Sequence, residues 1–178
     1  MRRPLFFLLA IIVLLADQAT KLWAMHHLVP DLSRTIIPRV FYLTRTTNTG
    51  GAFGLFPSAT SLLALTALAA VVGIIIYAAR TRWPLPAIVG VALALPLGGA
   101  AGNFLDRVRL GHVVDFLDVR FGDYSWPVFN VADSAICIGV VLLAYSFIRY
   151  SPSGHAPQER TAGQELPAPQ ERSTSAVE

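Results

Sequence analysis

Four apolar stretches, at residues 4–25, 62–79, 83–105 and 131–148, approach or exceed the roughly 18 to 20 residues that a helix needs to cross the hydrocarbon core of a bilayer. In that solvent every backbone amide must find its partner within the protein, so stretches of this kind fold as helices and their connections lie outside the core. Composition agrees: 54% hydrophobic and 14% charged residues, with a mean hydropathy of +0.55, fall outside the range of ordinary soluble domains. The first stretch admits a second reading, because Arg2 and Arg3 precede an apolar run from Leu5 to Ala16 that has the length of a secretory signal. Asp17 and Lys21 follow that run, no convincing small-x-small cleavage site does, and three more stretches come after. A retained first helix is therefore expected.

Positive charge gives the expected topology. Arg2, Arg3, Arg80, Arg82 and Arg149 fall at one set of ends and favour a cytoplasmic N-terminus, second loop and C-terminus. The other two connections, 27–57 and 106–128, are longer and carry charges of both signs, so they are expected to be structured external elements. In the first, RVFYLTR at Arg39–Arg45 alternates like a strand between Pro38 and Asn48-Thr49-Gly50-Gly51. In the second, Val113–Phe121 and Tyr124–Phe129 are β-prone and are separated by Gly122-Asp123. The two connections can pair into one platform beside the membrane.

After Tyr150 the chain changes character. Residues 151–178 hold all four glutamates, four prolines and almost no large apolar side chains, the composition of a disordered tail beyond a membrane unit at 1–150. Cys137 is the single cysteine, which excludes an intramolecular disulfide and a cysteine metal cluster. The pI near 9.4 comes from dispersed arginines and one lysine, a topological pattern and not a nucleic-acid surface. No internal repeat supports an inverted-repeat transporter.

Carboxylates near a bilayer boundary are costly unless paired, hydrated or used. Asp115 in GHVVDF and Asp133 in FNVADS flank the entrance to the last apolar stretch. Asn130 and Asp133 are spaced as a helix cap and its third residue, which explains Asp133 alone but not Asp115. Two carboxylates brought together can share one proton, the ionised member acting as a general base on water while the protonated one polarises a scissile carbonyl. Such a pair needs no metal and no organic cofactor, and the chain has no HExxH, Gly-x-Ser-x-Gly or P-loop.

Other polar residues fall at the same ends of the spans. Asp17 and Lys21 are i,i+4 on the first helix, an ion pair or an anchor for the external loops. In GGAAGNFLDR at Gly98–Arg107 the small residues allow a close helix approach, and Asn103 and Arg107 share one face. A Ser/Lys peptidase using Lys21 with Ser58, Ser61 or Ser134 lacks a recognisable nucleophile setting, and His112, His26 and His27 read more simply as surface or interfacial residues. Two other classes stay open on the residues alone: a small proton-coupled transporter, and an assembly factor held by helix packing.

Five elements in order, DQATK at Asp17–Lys21, NTGGAFG at Asn48–Gly54, GGAAGNFLDR, GHVVDF at Gly111–Phe116 and FNVADS at Phe129–Ser134, closely resemble the lipoprotein signal peptidase, or signal peptidase II, family of bacterial membrane aspartic peptidases. The resemblance covers about residues 10–148. It implies four transmembrane helices with a small extracytoplasmic antiparallel β-sheet and a surface helix, in a multi-pass protein of the bacterial inner membrane. It implies cleavage of a prolipoprotein before a diacylglyceryl-modified cysteine, by a monomer in contact with membrane lipid and without a cofactor. Asp115 and Asp133 take the positions of the catalytic aspartates, Asn48, Gly50, Asn103, Arg107 and Asn130 those of residues lining the site, and Asp17 and Lys21 supporting positions. Gly51 departs from the alanine usual at its place.

Overall fold

The structure, a computed structural model, describes residues 1–50, 60–122 and 124–150. Gly51 to Gly54 of the second motif, Ser58, Asp123 and the tail at 151–178 lie outside the described residues. Among the described residues four helices form, each long and apolar enough to cross a membrane: α1 (Arg3–His27), α2 (Thr60–Arg80), α3 (Ala87–Leu110) and α4 (Val131–Tyr150). Four strands accompany them: β1 (Ser33–Ile37), β2 (Phe41–Asn48), β3 (Val113–Phe121) and β4 (Tyr124–Ser125). The chain is a multi-pass membrane protein.

Helix α3 is central and packs against the other three. It does so through small residues, with Gly90, Ala92, Ala94, Gly98, Gly99, Ala100 and Gly102 all buried. Without a hydrophobic driving force between helices in lipid, close backbone approach is what holds them. At Gly102 a Cβ would run into the Asp17 carboxylate, and at Gly99 it would lie 2.5 Å from the Ala132 carbonyl oxygen. Large side chains point outward instead: Leu8, Ile11, Ile12 and Leu15 on α1 and Val140, Val141, Phe147 and Ile148 on α4 are exposed, as a lipid solvent permits.

Two helix boundaries differ from the sequence expectation by more than two residues. The third span starts at Ala87 and not at residue 83, because Pro84 and Pro86 occupy the approach and proline lacks the amide that helical bonding needs. It then continues past residue 105 to Leu110, so Asp106 and Arg107 are helical and not part of an external loop. Gly111 ends it, taking φ 75° and donating its N–H to the Arg107 carbonyl at 3.1 Å, a left-handed cap that suits glycine.

The sheet runs in the order β1-β2-β3-β4, antiparallel throughout, so the two connections do pair into one platform at one end of the bundle. Strand β1 is absent from the sequence expectation: SRTII has four exposed residues and no alternating face. Strand β2 begins two residues later than expected, since Arg39 turns at φ 66°, and extends to Asn48. That extension pairs Thr46 with Asp115 and Asn48 with Val113. Strand β4 stops at Ser125, ahead of Pro127, while Phe129 bridges back to Leu117. Among the described residues no helix other than the four is present, so the implied surface helix is not among the described elements.

Two side-chain clasps fix the platform. Arg45 donates to the carbonyls of Met25 (2.6 Å) and Leu28 (3.2 Å), which satisfies backbone oxygens left over at the end of α1. The buried Asp118 accepts from Thr44 Oγ1 at 2.7 Å and from Arg120, whose guanidinium lies 4.0 Å from the Tyr42 ring centre and reaches Ser33 at 2.8 Å. Burial raises the Asp118 carboxyl, but the hydrogen bonds from Arg120 and Thr44 outweigh it and hold the group below the usual carboxylate range.

Candidate active site

Asn130 is the cap of α4. Its Oδ1 accepts the Asp133 N–H at 2.9 Å, and Asp133 Oδ2 accepts the Asn130 N–H at 3.2 Å, a reciprocal box that satisfies two orphan donors. The capping expectation therefore holds, yet it leaves the rest of both side chains available. Asn130 Nδ2 donates to Asp115 Oδ1 at 2.6 Å, and Asp133 Oδ1 accepts from Asn103 Nδ2 at 2.8 Å. Asn130 thus touches both aspartates.

Asp115 reaches this point from β3, and is 1% exposed. Its second oxygen accepts from Asn48 Nδ2 at 3.0 Å; Asn48 Oδ1 in turn accepts the Gly50 N–H at 3.0 Å, and the Gly50 carbonyl accepts from Arg107 at 3.1 Å. Burial pushes the Asp115 carboxyl up to about 7, with the charge of Asp133 adding to the rise against the hydrogen bonds of Asn48 and Asn130 and the Lys21 ammonium. A carboxyl poised there can hold a proton at neutral pH and release it. A cleft of about 310 Å³ opens over Asp115, lined by Thr46, Thr47, Asn48, Gly50, Pro127 and Val128. Arg107 Nε is buried without a hydrogen-bond partner among the described residues.

Beneath this layer lies an ionic one. The Asp17–Lys21 pair is fully buried, not interfacial, and Lys21 Nζ is 2.9 Å from Asp17, 2.9 Å from Asp106 and 2.8 Å from Asn103 Oδ1. All three ammonium donors are placed, which is the condition for burying such a charge. It also removes the Ser/Lys alternative: an ammonium held between two carboxylates is not a general base, and Ser134 donates to the Asn130 carbonyl within its own helix. Asp17 Oδ1 accepts the Ala132 N–H at 2.9 Å, so α1 helps cap α4. Asn48, Gly50, Asn103, Arg107, Asn130, Asp17, Lys21, Asp115 and Asp133 are all brought into one continuous network.

Residues 9–149 match the family described as Signal peptidase (SPase) II. The chain belongs to the signal peptidase II family. Among its relatives are proteins named lipoprotein signal peptidase from Moorella thermoacetica, 42% identical with 86% of this chain and 98% of that protein covered, and from Bacillus subtilis, 41% identical with 78% and 90% covered. A solved structure described as a bacterial membrane enzyme superposes with a TM-score of 0.77 at 29% identity, covering 84% of this chain and 90% of the other. A second, described likewise, gives 0.73 at 30% identity over 83% and 94%. Membership makes the chain an aspartic-type peptidase, and the transporter reading gains no support.

Two residues of the signal peptidase II network escaped the sequence reading, Gln18 and Asp106. Gln18 donates to Asp106 Oδ1 at 2.9 Å and to Asp17 Oδ2 at 3.2 Å. Asp106 lies i,i+3 from Asn103, a helical spacing that would have placed both on one face had the third span been drawn five residues longer.

Proposed function

We propose that the protein removes signal peptides from prolipoproteins, cutting before a diacylglyceryl-modified cysteine, with Asp115 and Asp133 as the catalytic pair. The observation that carries this is Asn130 engaging both carboxylates, Asp115 through its side-chain amide and Asp133 through its backbone N–H, with a cleft open over Asp115, in a chain of the signal peptidase II family. Asp115 holds the shared proton and donates it to the scissile carbonyl oxygen; Asp133 takes a proton from the attacking water. The tetrahedral adduct collapses as Asp133 returns its proton to the leaving amine and the carbonyl oxygen returns its proton to Asp115. The products are a signal-peptide carboxylate and a new amino terminus on the lipid-bearing cysteine. Asn103, Asn48 and Asn130 orient the carboxylates, and Gly50 and Arg107 shape the approach.

Residues 1–150 form the catalytic unit, and the protein acts as a monomer. The arginine-rich ends, with Arg2, Arg3, Arg80, Arg82 and Arg149, lie at the opposite ends of the helices from the site. That favours a cytoplasmic N-terminus and C-terminus and a site near the extracytoplasmic face. There the signal helix can lie alongside the bundle while the diacylglyceryl chains stay in the outer leaflet.

Purified protein in lipid is expected to cleave a diacylglyceryl-bearing precursor at least about tenfold faster than the same precursor without lipid. Equal rates on both would overturn the substrate assignment. The pH dependence has a definite sign as well. The reaction needs one proton on the pair, and Asp115 lets its proton go near 7, so the rate falls as pH rises through about 7. It falls again in acid as the pair gains a second proton. Initial rates across the range would show this, and a flat alkaline side would exclude Asp115 as the acid.

A further inference from the structure

We propose that Asp106 is the positioning residue that sets both carboxylates of the pair, an inference that rests on the Asp115–Asp133 reading. Asp106 is 3% exposed and touches neither aspartate. Its two oxygens receive three donors: Gln18 Nε2 on Oδ1 at 2.9 Å, and Lys21 Nζ at 2.9 Å and the Val114 backbone N–H at 3.3 Å on Oδ2. Two branches leave this point.

The first branch goes to Asp115. Val114 is its neighbour on β3, so the bond from its amide pins the start of that strand to α3 across the Gly111 turn. The second goes to Asp133. Lys21 is a donor only, and with two of its protons on Asp17 and Asp106 the third goes to Asn103 Oδ1. Asn130 Nδ2 donates weakly to the same oxygen, at 3.3 Å. The Asn103 amide is thereby forced to turn its Nδ2 toward Asp133, where it donates at 2.8 Å. The flipped amide would set its NH₂ against an ammonium and its oxygen against a carboxylate, unfavourable at both ends. Lys21 thus chooses which atom faces Asp133, and Asp106 holds Lys21 in place.

The charges facing the pair are Asp17 and Lys21 from α1, Asp106 and Arg107 from α3, and the two carboxylates themselves from β3 and α4. Strand β2 contributes the neutral Asn48. Asp106→Asn removes a negative charge, so the pair gives up its last proton more readily and the alkaline limb of the rate profile moves to lower pH. Lys21→Met removes a positive charge and moves the same limb to higher pH. The double variant keeps the wild-type net charge at the cluster and returns the limb to its wild-type position, but without the Lys21 contact to Asn103 it stays slow.

The experiment measures turnover of a diacylglyceryl-bearing precursor against pH by the full-length protein in lipid vesicles. Each single variant is expected to lose about tenfold or more in maximal rate, with limbs displaced in opposite directions by roughly half a pH unit. A purely structural role lowers the rates without moving the limbs, and that outcome overturns the proposal. So does wild-type turnover by the double variant, which serves as the decisive case if a single variant fails to accumulate folded. Lys21→Arg keeps the charge and is expected to be slow with an unmoved limb; a moved limb there also overturns it. A wild-type profile with no alkaline limb overturns the Asp115–Asp133 reading itself, so the two failures are told apart.

Discussion

Asparagine at Asp115 or at Asp133 is expected to lower the rate of precursor cleavage by about 10³-fold or more, with binding of the lipid-bearing precursor retained. Either change removes a group that must carry a proton: Asn at residue 115 cannot donate to the carbonyl oxygen, and Asn at residue 133 cannot accept from water. A competing explanation is hydrogen-bond mismatch. Asp115 accepts amide protons on both oxygens, from Asn48 and Asn130, so an asparagine there faces one of them with its own NH₂. At residue 133 the same conflict arises with Asn103. Such a mismatch costs about 1–3 kcal/mol, and it burdens the free enzyme and the transition state alike. It shows as lost thermal stability and not as a lower rate of the chemical step. Single-turnover cleavage measured beside thermal unfolding separates the two, and substantial turnover by either variant would sink the catalytic pair.

How far the sequence could reach is clearest in particular residues. The four spans were legible because a bilayer demands long apolar runs, and β2 and β3 because one of their faces alternates or is buried. The span ends were harder. Hydropathy falls at Asp106, yet the helix goes on to Leu110, because its polar residues turn inward to Lys21 and Gln18 and stay bonded. Backbone geometry at Gly111, not polarity, ends it. For β1 the sequence carried no alternation, since that strand exists by pairing with β2 and presents little buried surface. The site was legible as a set of polar residues at span ends, with Asp17 and Lys21 included. What could not be read was their partnership: the Asp17–Lys21 pair looked interfacial, whereas Gly102 lets α1 approach α3 so closely that the pair is sealed and given Asp106 as a second anion. Contacts at sequence separations of 82 to 115 residues, such as Lys21 to Asn103 and Asp17 to Ala132, leave no local trace.

Asn130→Ala is expected to reduce cleavage by about 10²- to 10³-fold, a loss that divides into two parts with different remedies. One part belongs to folding. Alanine cannot accept the Asp133 N–H, so α4 loses its cap at a cost of about 0.5–2 kcal/mol and its first turn, which carries Asp133, loosens. The other part belongs to chemistry. The Asn130 Nδ2 bond to Asp115 at 2.6 Å disappears, and with it the side-chain link between the Asp115 carboxylate and the turn of α4 that carries Asp133. Small displacements of reacting groups are expensive in rate, because the aligned geometry is itself a large share of the catalysis. Serine distinguishes the parts: it is as good a helix cap as asparagine but too short to reach Asp115. Asn130→Ser is therefore expected to restore the thermal stability that Asn130→Ala loses while leaving the rate low. If serine restored the rate as well, Asn130 would be a helix cap and nothing more, and its bond to Asp115 would play no part in catalysis.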